Sequence, residues 1–131
     1  MINLKKPKGE GWPDSEDSLQ IKCAEFTKKE LLKRGLPQMF FHPANGGTRS
    51  KREASRFKLM GLQAGVSDII LLIPAGEFHG FICELKNGKG KLDPRQEVFL
   101  TAATEQGYLA IVVDCFEIYK ENLTAYLELK K

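Results

Sequence analysis

The chain of 131 residues lacks several features that would define other classes of protein. No apolar run approaches the roughly 20 residues that a membrane-spanning helix needs, so no membrane segment is expected. The stretch from Met1 to Lys8 is basic but lacks the apolar core of a signal peptide, and we therefore expect a cytoplasmic protein. The three cysteines form an odd number without Cys-x-x-Cys spacing, which argues against a disulfide framework or a zinc knuckle.

The remaining composition is ordinary for a globular protein, and the length fits one domain. Residues 1–13 are polar and punctuated by Pro and Gly, so we expect a flexible N-terminal tail followed by a single domain over residues 14–131. Each cysteine lies in an apolar stretch and is expected to be a small buried side chain. These cysteines are Cys23, Cys83 and Cys115.

Capping and turn signals divide the domain into alternating helices and strands. Asp93 can cap a helix that has Pro94 at its first position and Gln96 in the capping-box position. The order of elements predicts an α/β fold, a small mixed β-sheet flanked by helices. The first predicted element is a helix that is capped by Asp14 or Ser15 and runs to about Arg34. The others are strand 39–41, helix 51–60, strands 67–73 and 78–86, helix 94–106, strand 108–113 and helix 116–129. The predicted core face of helix 94–106 consists of Val98, Phe99, Ala102 and Ala103.

The predicted hairpin between residues 67 and 86 carries the most informative pattern. If the hairpin folds about Gly76, Asp68 lies opposite Glu84. Residues i and i+2 of a strand share a face, so Glu84 and Lys86 project together. Two carboxylates on facing residues of a hairpin can hold Mg²⁺, and an ammonium beside them can hold a phosphate or an attacking water. The structural alternatives are a turn cap for Asp68 and a simple Glu84–Lys86 ion pair.

The Asp...Glu-x-Lys arrangement resembles the nuclease superfamily named for its motif PD-(D/E)XK, with Ser67 in the Pro position. An ordered set of further motifs makes the resemblance more specific. The set is similar to the virus-type replication-repair nuclease (VRR-NUC) domain over roughly residues 15 to 127 of this chain. The motifs are Asn45-Gly46-Gly47, Gly65-Val66-Ser67-Asp68, Phe81-Ile82-Cys83-Glu84-Leu85-Lys86, Leu92-Asp93-Pro94-Arg95-Gln96 and Gln106-Gly107-Tyr108.

This resemblance implies a restriction-endonuclease-like fold and a Mg²⁺-dependent endonuclease, with Mn²⁺ as a substitute for Mg²⁺. The implied substrate is DNA, including branched forms such as flaps and Holliday junctions. The backbone carbonyl of Leu85 is implied as a further metal ligand. The resemblance also implies a phage-type protein of the host cytoplasm that pairs into a homodimer. The alternatives are an RNA nuclease and a non-catalytic nucleic-acid-binding or assembly module, although such a module would need none of Asp68, Glu84 and Lys86.

An acidic residue of the first helix often completes sites of this type. On the helical wheel Glu16 and Glu30 both fall near the apolar stripe, whereas Glu25 points toward solvent. The family pattern of a Glu four residues before a Gln matches Glu16 and Gln20, and the structural alternative for Glu16 is a favourable charge at a helix N-terminus. The resemblance also places Gln96 near the site, with the capping box as its structural alternative.

Basic residues are concentrated in the segment 49–58, where five of them face a single acidic residue, Glu53. Such a run is usually a solvated face, but beside a metal site it is equally consistent with contacts to phosphates. The loop before it contains Asn45, Gly46 and Gly47, whose backbone amides can approach a phosphate closely. The candidate DNA-binding residues of the basic segment are Arg49, Lys51, Arg52, Arg56 and Lys58.

Overall fold

The computed structural model describes residues 2–3, 16–43, 50–86 and 91–130, with residues 2, 3 and 16 described by their backbone alone. The elements follow the predicted order, with boundaries shifted by a few residues and one additional strand, β1, at the start. The rest of the predicted tail over residues 1–13 lies outside the described residues. The elements are β1 (Ile2–Asn3), α1 (Glu16–Lys33), β2 (Phe40–Phe41), α2 (Lys51–Leu59), β3 (Ile69–Leu71), β4 (Phe81–Leu85), α3 (Pro94–Glu105), β5 (Leu109–Val113) and α4 (Phe116–Leu127).

The five strands form one mixed sheet in the order β1-β5-β4-β3-β2. Strands β1, β5 and β4 are parallel, whereas β3 pairs antiparallel with both β4 and β2. The parallel pair β4–β5 is joined by α3, as a parallel connection requires a crossover. The structure therefore has the predicted α/β class, a mixed sheet with helices on its faces.

The two faces of the sheet have different coverings. One face packs against α1 and α4 and carries the larger core, in which Tyr119, Tyr126 and Phe81 are the largest fully buried side chains. The other face packs against α3 through a smaller cluster that includes Ile82. Because side chains alternate along a strand, Glu84 shares the α3 face of β4 with Ile82. The sheet thus directs this carboxylate toward the start of α3.

The predicted core face of α3 is partly wrong. Val98 is 70% exposed and Ala102 is also exposed, whereas Leu100 is fully buried and packs with Ala103. Apolar residues occur on more than one side of this helix, so its periodicity does not determine which side turns inward. Contact with the small cluster around Ile82 determines it instead.

The basic segment forms α2, as predicted, and this helix has no buried residues. Ser50 caps its start, because the Ser50 side chain accepts a hydrogen bond from the backbone N–H of Glu53. Gly61 follows its end with a φ of 110°, a conformation that glycine adopts without steric strain. Within the described ranges, no helix has the length and apolar character needed to cross a bilayer.

Candidate active site

The hairpin has the register that the sequence predicts. Ile69 lies opposite Cys83, and the same register continues along both strands. One position further along each strand, Asp68 faces Glu84. Gly76 lies in the turn with a φ of 56°, where a glycine avoids the strain of a left-handed backbone. The two predicted metal ligands therefore meet at one end of the hairpin.

The side chain and the backbone of Asp68 are each held by a hydrogen bond. Its carboxylate Oδ2 accepts a hydrogen bond of 2.7 Å from the backbone N–H of Leu85. Its backbone carbonyl oxygen lies 2.7 Å from Nδ1 of His42. The carboxylate therefore has a fixed orientation, and its remaining lone pairs are available to a cation.

Glu84 is a buried charge, with 3% of the residue exposed. Its Oε1 accepts a hydrogen bond of 2.8 Å from Nε2 of Gln96. The ammonium of Lys86 lies 4.0 Å from the same oxygen, on the face that the two residues were predicted to share. A buried carboxylate is costly unless donors and cations surround it, so the amide and the ammonium both stabilise the ionised form.

Gln96 completes the predicted capping box and also contacts Glu84. Its Oε1 accepts from the backbone N–H of Asp93, and Asp93 Oδ1 accepts from the backbone N–H of Gln96, which completes the capping box. Hydrogen bonds from the backbone N–H groups of Gln96 and Arg95 lower the pKa of the Asp93 carboxyl. The cap therefore fixes the side chain that donates to Glu84.

Asp68, Glu84 and Gln96 open onto one cleft of about 270 Å³. The cleft lies where the start of α1, the end of β2, the segment before β3, the end of β4 and the start of α3 meet. Its lining is mixed polar and apolar, and it includes all three candidate metal ligands, Asp68, Glu84 and Leu85. The lining residues are Asp17, Gln20, His42, Pro43, Gly65, Val66, Asp68, Glu84, Leu85 and Gln96.

The first helix contributes an acidic residue that the sequence did not single out. Glu16 begins α1, but its side chain lies outside the described residues. Asp17, the next residue, lines the cleft together with Gln20. Glu30 is buried, and its Oε1 accepts a hydrogen bond of 2.9 Å from Nε of Arg34. It lies about 20 Å from Asp17 along the axis of α1. Glu30 is therefore not the acid that completes this cleft.

The candidate DNA-binding residues are only partly described. Asn45, Gly46, Gly47 and Arg49 lie outside the described residues. The other four are exposed on α2, and none of the four lines the cleft. These four are Lys51, Arg52, Arg56 and Lys58.

The candidate metal ligands at the cleft are all oxygen atoms, from the residues Asp68, Glu84 and Leu85. Over the described parts of the chain, no cluster of three or more His, Cys, Asp or Glu side chains could hold a metal. Two carboxylates and a main-chain carbonyl nevertheless suit Mg²⁺, which is bound by few carboxylates and keeps several waters.

The cysteines do not add a soft ligand or a nucleophile to this site. Burial raises the pKa of the Cys83 thiol well above its usual value, and the nearby Cys23 and Asp68 raise it further. The thiol of Cys83 is therefore protonated and unreactive at neutral pH. Cys23 is buried as predicted, but the prediction is wrong for Cys115, which is only half-buried because it lies at the N-cap of α4.

Comparison with known proteins supports the same architecture. No protein-family model matches the chain, and no curated protein matches it. A solved structure described as a VRR_NUC domain protein is similar, with a TM-score of 0.75 and 27% sequence identity. The match covers 93% of this chain and 93% of that chain. The chain therefore has a VRR-NUC fold of the restriction-endonuclease-like type, as its motifs predicted.

Proposed function

We propose that the protein is a Mg²⁺-dependent endonuclease that hydrolyses phosphodiester bonds of DNA in this cleft. The observation that carries the proposal is the convergence of Asp68, Glu84 and Lys86 at one end of the β3–β4 hairpin. The VRR-NUC fold supports the same choice, because it is a nuclease-type fold.

The metal would be held by the carboxylates of Asp68 and Glu84 and by the backbone carbonyl of Leu85. When bound, Mg²⁺ lowers the pKa of a coordinated water and stabilises negative charge on phosphate oxygens. Mn²⁺ should substitute, because it accepts the same oxygen ligands. Asp68 is already oriented by the Leu85 amide, and Glu84 by the Gln96 amide, so both carboxylates are fixed before any ligand arrives.

Lys86 would act on the scissile phosphate. Its side chain is 16% exposed, and its ammonium lies 4.0 Å from Oε1 of Glu84, a residue that lines the cleft. A fixed positive charge there can orient the attacking water or offset the charge that develops on the phosphate oxygens. This work belongs to the transition state, and its loss should appear in kcat more than in DNA affinity.

The exposed basic residues of α2 would contact the DNA backbone outside the cleft. Contacts with phosphates do not depend on the DNA sequence. Each contact makes the logarithm of the affinity fall by about 0.9 for every tenfold rise in salt concentration. Replacing Arg52 and Arg56 with Ala should therefore flatten the salt dependence of DNA binding by up to about two units. An unchanged slope in a filter-binding titration would show that α2 is a solvated face only.

We also propose a homodimer that acts on branched DNA. One cleft can cut one strand, whereas a two-fold axis would present two clefts to the paired strands of a four-way junction. Sedimentation at micromolar concentration should give the mass of a dimer. A monomer that cuts junctions at the same rate as duplex DNA would contradict both parts of this proposal.

The activity is tested on a panel of single-stranded, duplex, flap and four-way DNA and on RNA, with Mg²⁺, Mn²⁺, Ca²⁺ or EDTA. We expect cleavage of DNA with Mg²⁺ or Mn²⁺ and none with Ca²⁺ or EDTA. The variants Asp68→Asn, Glu84→Gln and Lys86→Ala should each lower kcat by roughly 10²–10³-fold. The matched control is Glu97→Gln, an exposed carboxylate in the first turn of α3 that does not line the cleft, and it should cut like the wild type.

The outcomes separate the candidate functions. Cleavage of RNA in preference to DNA would replace the substrate in the proposal. Metal-independent binding of DNA without cleavage, unchanged in all three variants, would identify a non-catalytic binding module and refute the proposed activity.

A further inference from the structure

The ladder of backbone hydrogen bonds between β2 and β3 is interrupted at Asp68, the first candidate metal ligand. The backbone N–H of Leu72 donates to the carbonyl oxygen of Met39 at 2.8 Å. Hydrogen-bonded pairs recur at every second residue of an antiparallel ladder. In the observed register, two such steps along the strands bring Pro43 opposite Asp68. Proline has no N–H, so the backbone of residue 43 cannot donate to the carbonyl of Asp68.

The side chain of His42 supplies the hydrogen bond that Pro43 cannot make. Nδ1 of His42 lies 2.7 Å from the carbonyl oxygen of Asp68. A carbonyl oxygen can only accept, so Nδ1 carries the proton and is the donor. Strand β2 ends at Phe41 and β3 begins at Ile69, so this bond lies just beyond the last paired residues.

We propose that His42 is a positioning residue, which holds Asp68 in the orientation that the proposed metal site requires. The imidazole fixes the backbone of Asp68, and the Leu85 amide fixes its carboxylate. Both bonds are needed because Asp68 lies outside β3, where the sheet no longer constrains its backbone. The effect on metal binding rests on the proposed function, whereas the effect on the orientation of Asp68 does not.

Sequence reasoning could not assign this role. The bond joins residues 26 positions apart, and it depends on the register of two short strands. The His-Pro dipeptide itself is the only local signal, because it places a side-chain donor next to a residue that lacks a backbone donor.

The test is a substitution together with its suppressor. His42→Ala removes the imidazole donor, and the additional change Pro43→Ala restores a backbone N–H at the position that faces Asp68. His42→Asn is a second, conservative variant, because its side-chain amide keeps a donor near the position of Nδ1. His79→Ala is the matched control, since His79 is also exposed but does not line the cleft.

The first measurement uses metal-free protein and follows hydrogen exchange at the Leu85 amide by NMR. This amide donates to the Asp68 carboxylate, so its protection reports whether that carboxylate stays in place. We expect faster exchange in His42→Ala and recovery in the His42→Ala, Pro43→Ala double variant. Unchanged protection in His42→Ala, or faster exchange that the second substitution does not reverse, would overturn the proposal.

The second measurement is the affinity for Mn²⁺ alone, by calorimetry without DNA. Loss of a residue that orients a metal ligand typically lowers metal affinity by about 10–100-fold, and we expect His42→Ala to fall in this range. The double variant and His42→Asn should recover most of that loss, whereas His79→Ala should match the wild type. If the wild type binds no Mn²⁺, the proposed function fails, while the Leu85 amide still decides whether His42 positions Asp68.

Discussion

Gln96 joins the helix cap of α3 to the candidate metal site, and its replacement should therefore damage both. The side chain donates to the buried Glu84 at 2.8 Å and accepts from the Asp93 amide at 3.0 Å. Gln96→Ala removes both hydrogen bonds. Gln96→Glu keeps an acceptor for the cap but replaces the donor to Glu84 with a second carboxylate.

The expected loss of stability follows from the two bonds. A hydrogen bond to a charged group contributes about 1.5–3 kcal/mol, and a bond between neutral groups about 0.5–1.5 kcal/mol. Gln96→Ala should therefore lower the free energy of unfolding by roughly 2–4.5 kcal/mol. Gln96→Glu should lose at least as much without metal, because two like charges are brought together in a buried site.

Denaturant unfolding of metal-free protein measures these losses. The control is Gln106→Ala at the C-cap of the same helix, where the glutamine is exposed and the change should stay within about 0.5 kcal/mol. Saturating Mn²⁺ should stabilise Gln96→Glu more than it stabilises the wild type, because the cation offsets the added charge. Equal losses in Gln96→Ala and Gln106→Ala would refute the role given to Gln96.

Three further changes test other parts of the structure. Gly65→Ala should lose about 1–3 kcal/mol more than Gly61→Ala in urea unfolding, since both glycines have positive φ but only at Gly65 would the new Cβ lie 2.7 Å from a backbone oxygen; equal losses would count against this contact. Ser67→Ala should raise the free energy of unfolding by about 1 kcal/mol, because the buried Ser67 hydroxyl has no hydrogen-bond partner among the described residues; a loss of stability would indicate a partner. The lowered pKa of Asp93 contributes stability above the unfolded-state pKa of about 4 and loses it as the pH falls through the folded-state pKa, so the wild type should lose more of its thermal stability in acid than Asp93→Asn, whose amide still caps α3; parallel pH profiles would contradict that assignment.

The parts of the fold that depend on local signals could be predicted from the sequence. The hairpin register followed from its turn at Gly76, because the distance along the chain to that turn decides which residues face each other. The cap of α3 followed from the spacing of Asp93 and Gln96. Each of these features is determined by residues close together in the chain. The sequence therefore predicts that the candidate ligands Asp68 and Glu84 lie opposite each other.

Features that depend on packing between distant segments could not be predicted. The inward side of α3 was assigned wrongly at Val98, because the apolar residues of the helix lie on more than one side and contact with the sheet makes the choice. Asp17 lines the cleft because of the way α1 lies across the sheet. A helical wheel shows only the positions of residues around one helix and carries no information on that placement. The same holds for His42, whose partner Asp68 lies 26 residues further along the chain.

The most direct test of the proposed site is the position of bound Mn²⁺. Crystals soaked in MnCl₂ are measured at a wavelength where manganese scatters anomalously, with Glu84→Gln crystals as the matched control. We predict an anomalous peak within roughly 2.0–2.3 Å of a carboxylate oxygen of Asp68 and one of Glu84, and a weaker or absent peak in the variant. A wild-type crystal with no peak within reach of both carboxylates, or with the same peak in Glu84→Gln, would contradict the assignment of these residues as metal ligands.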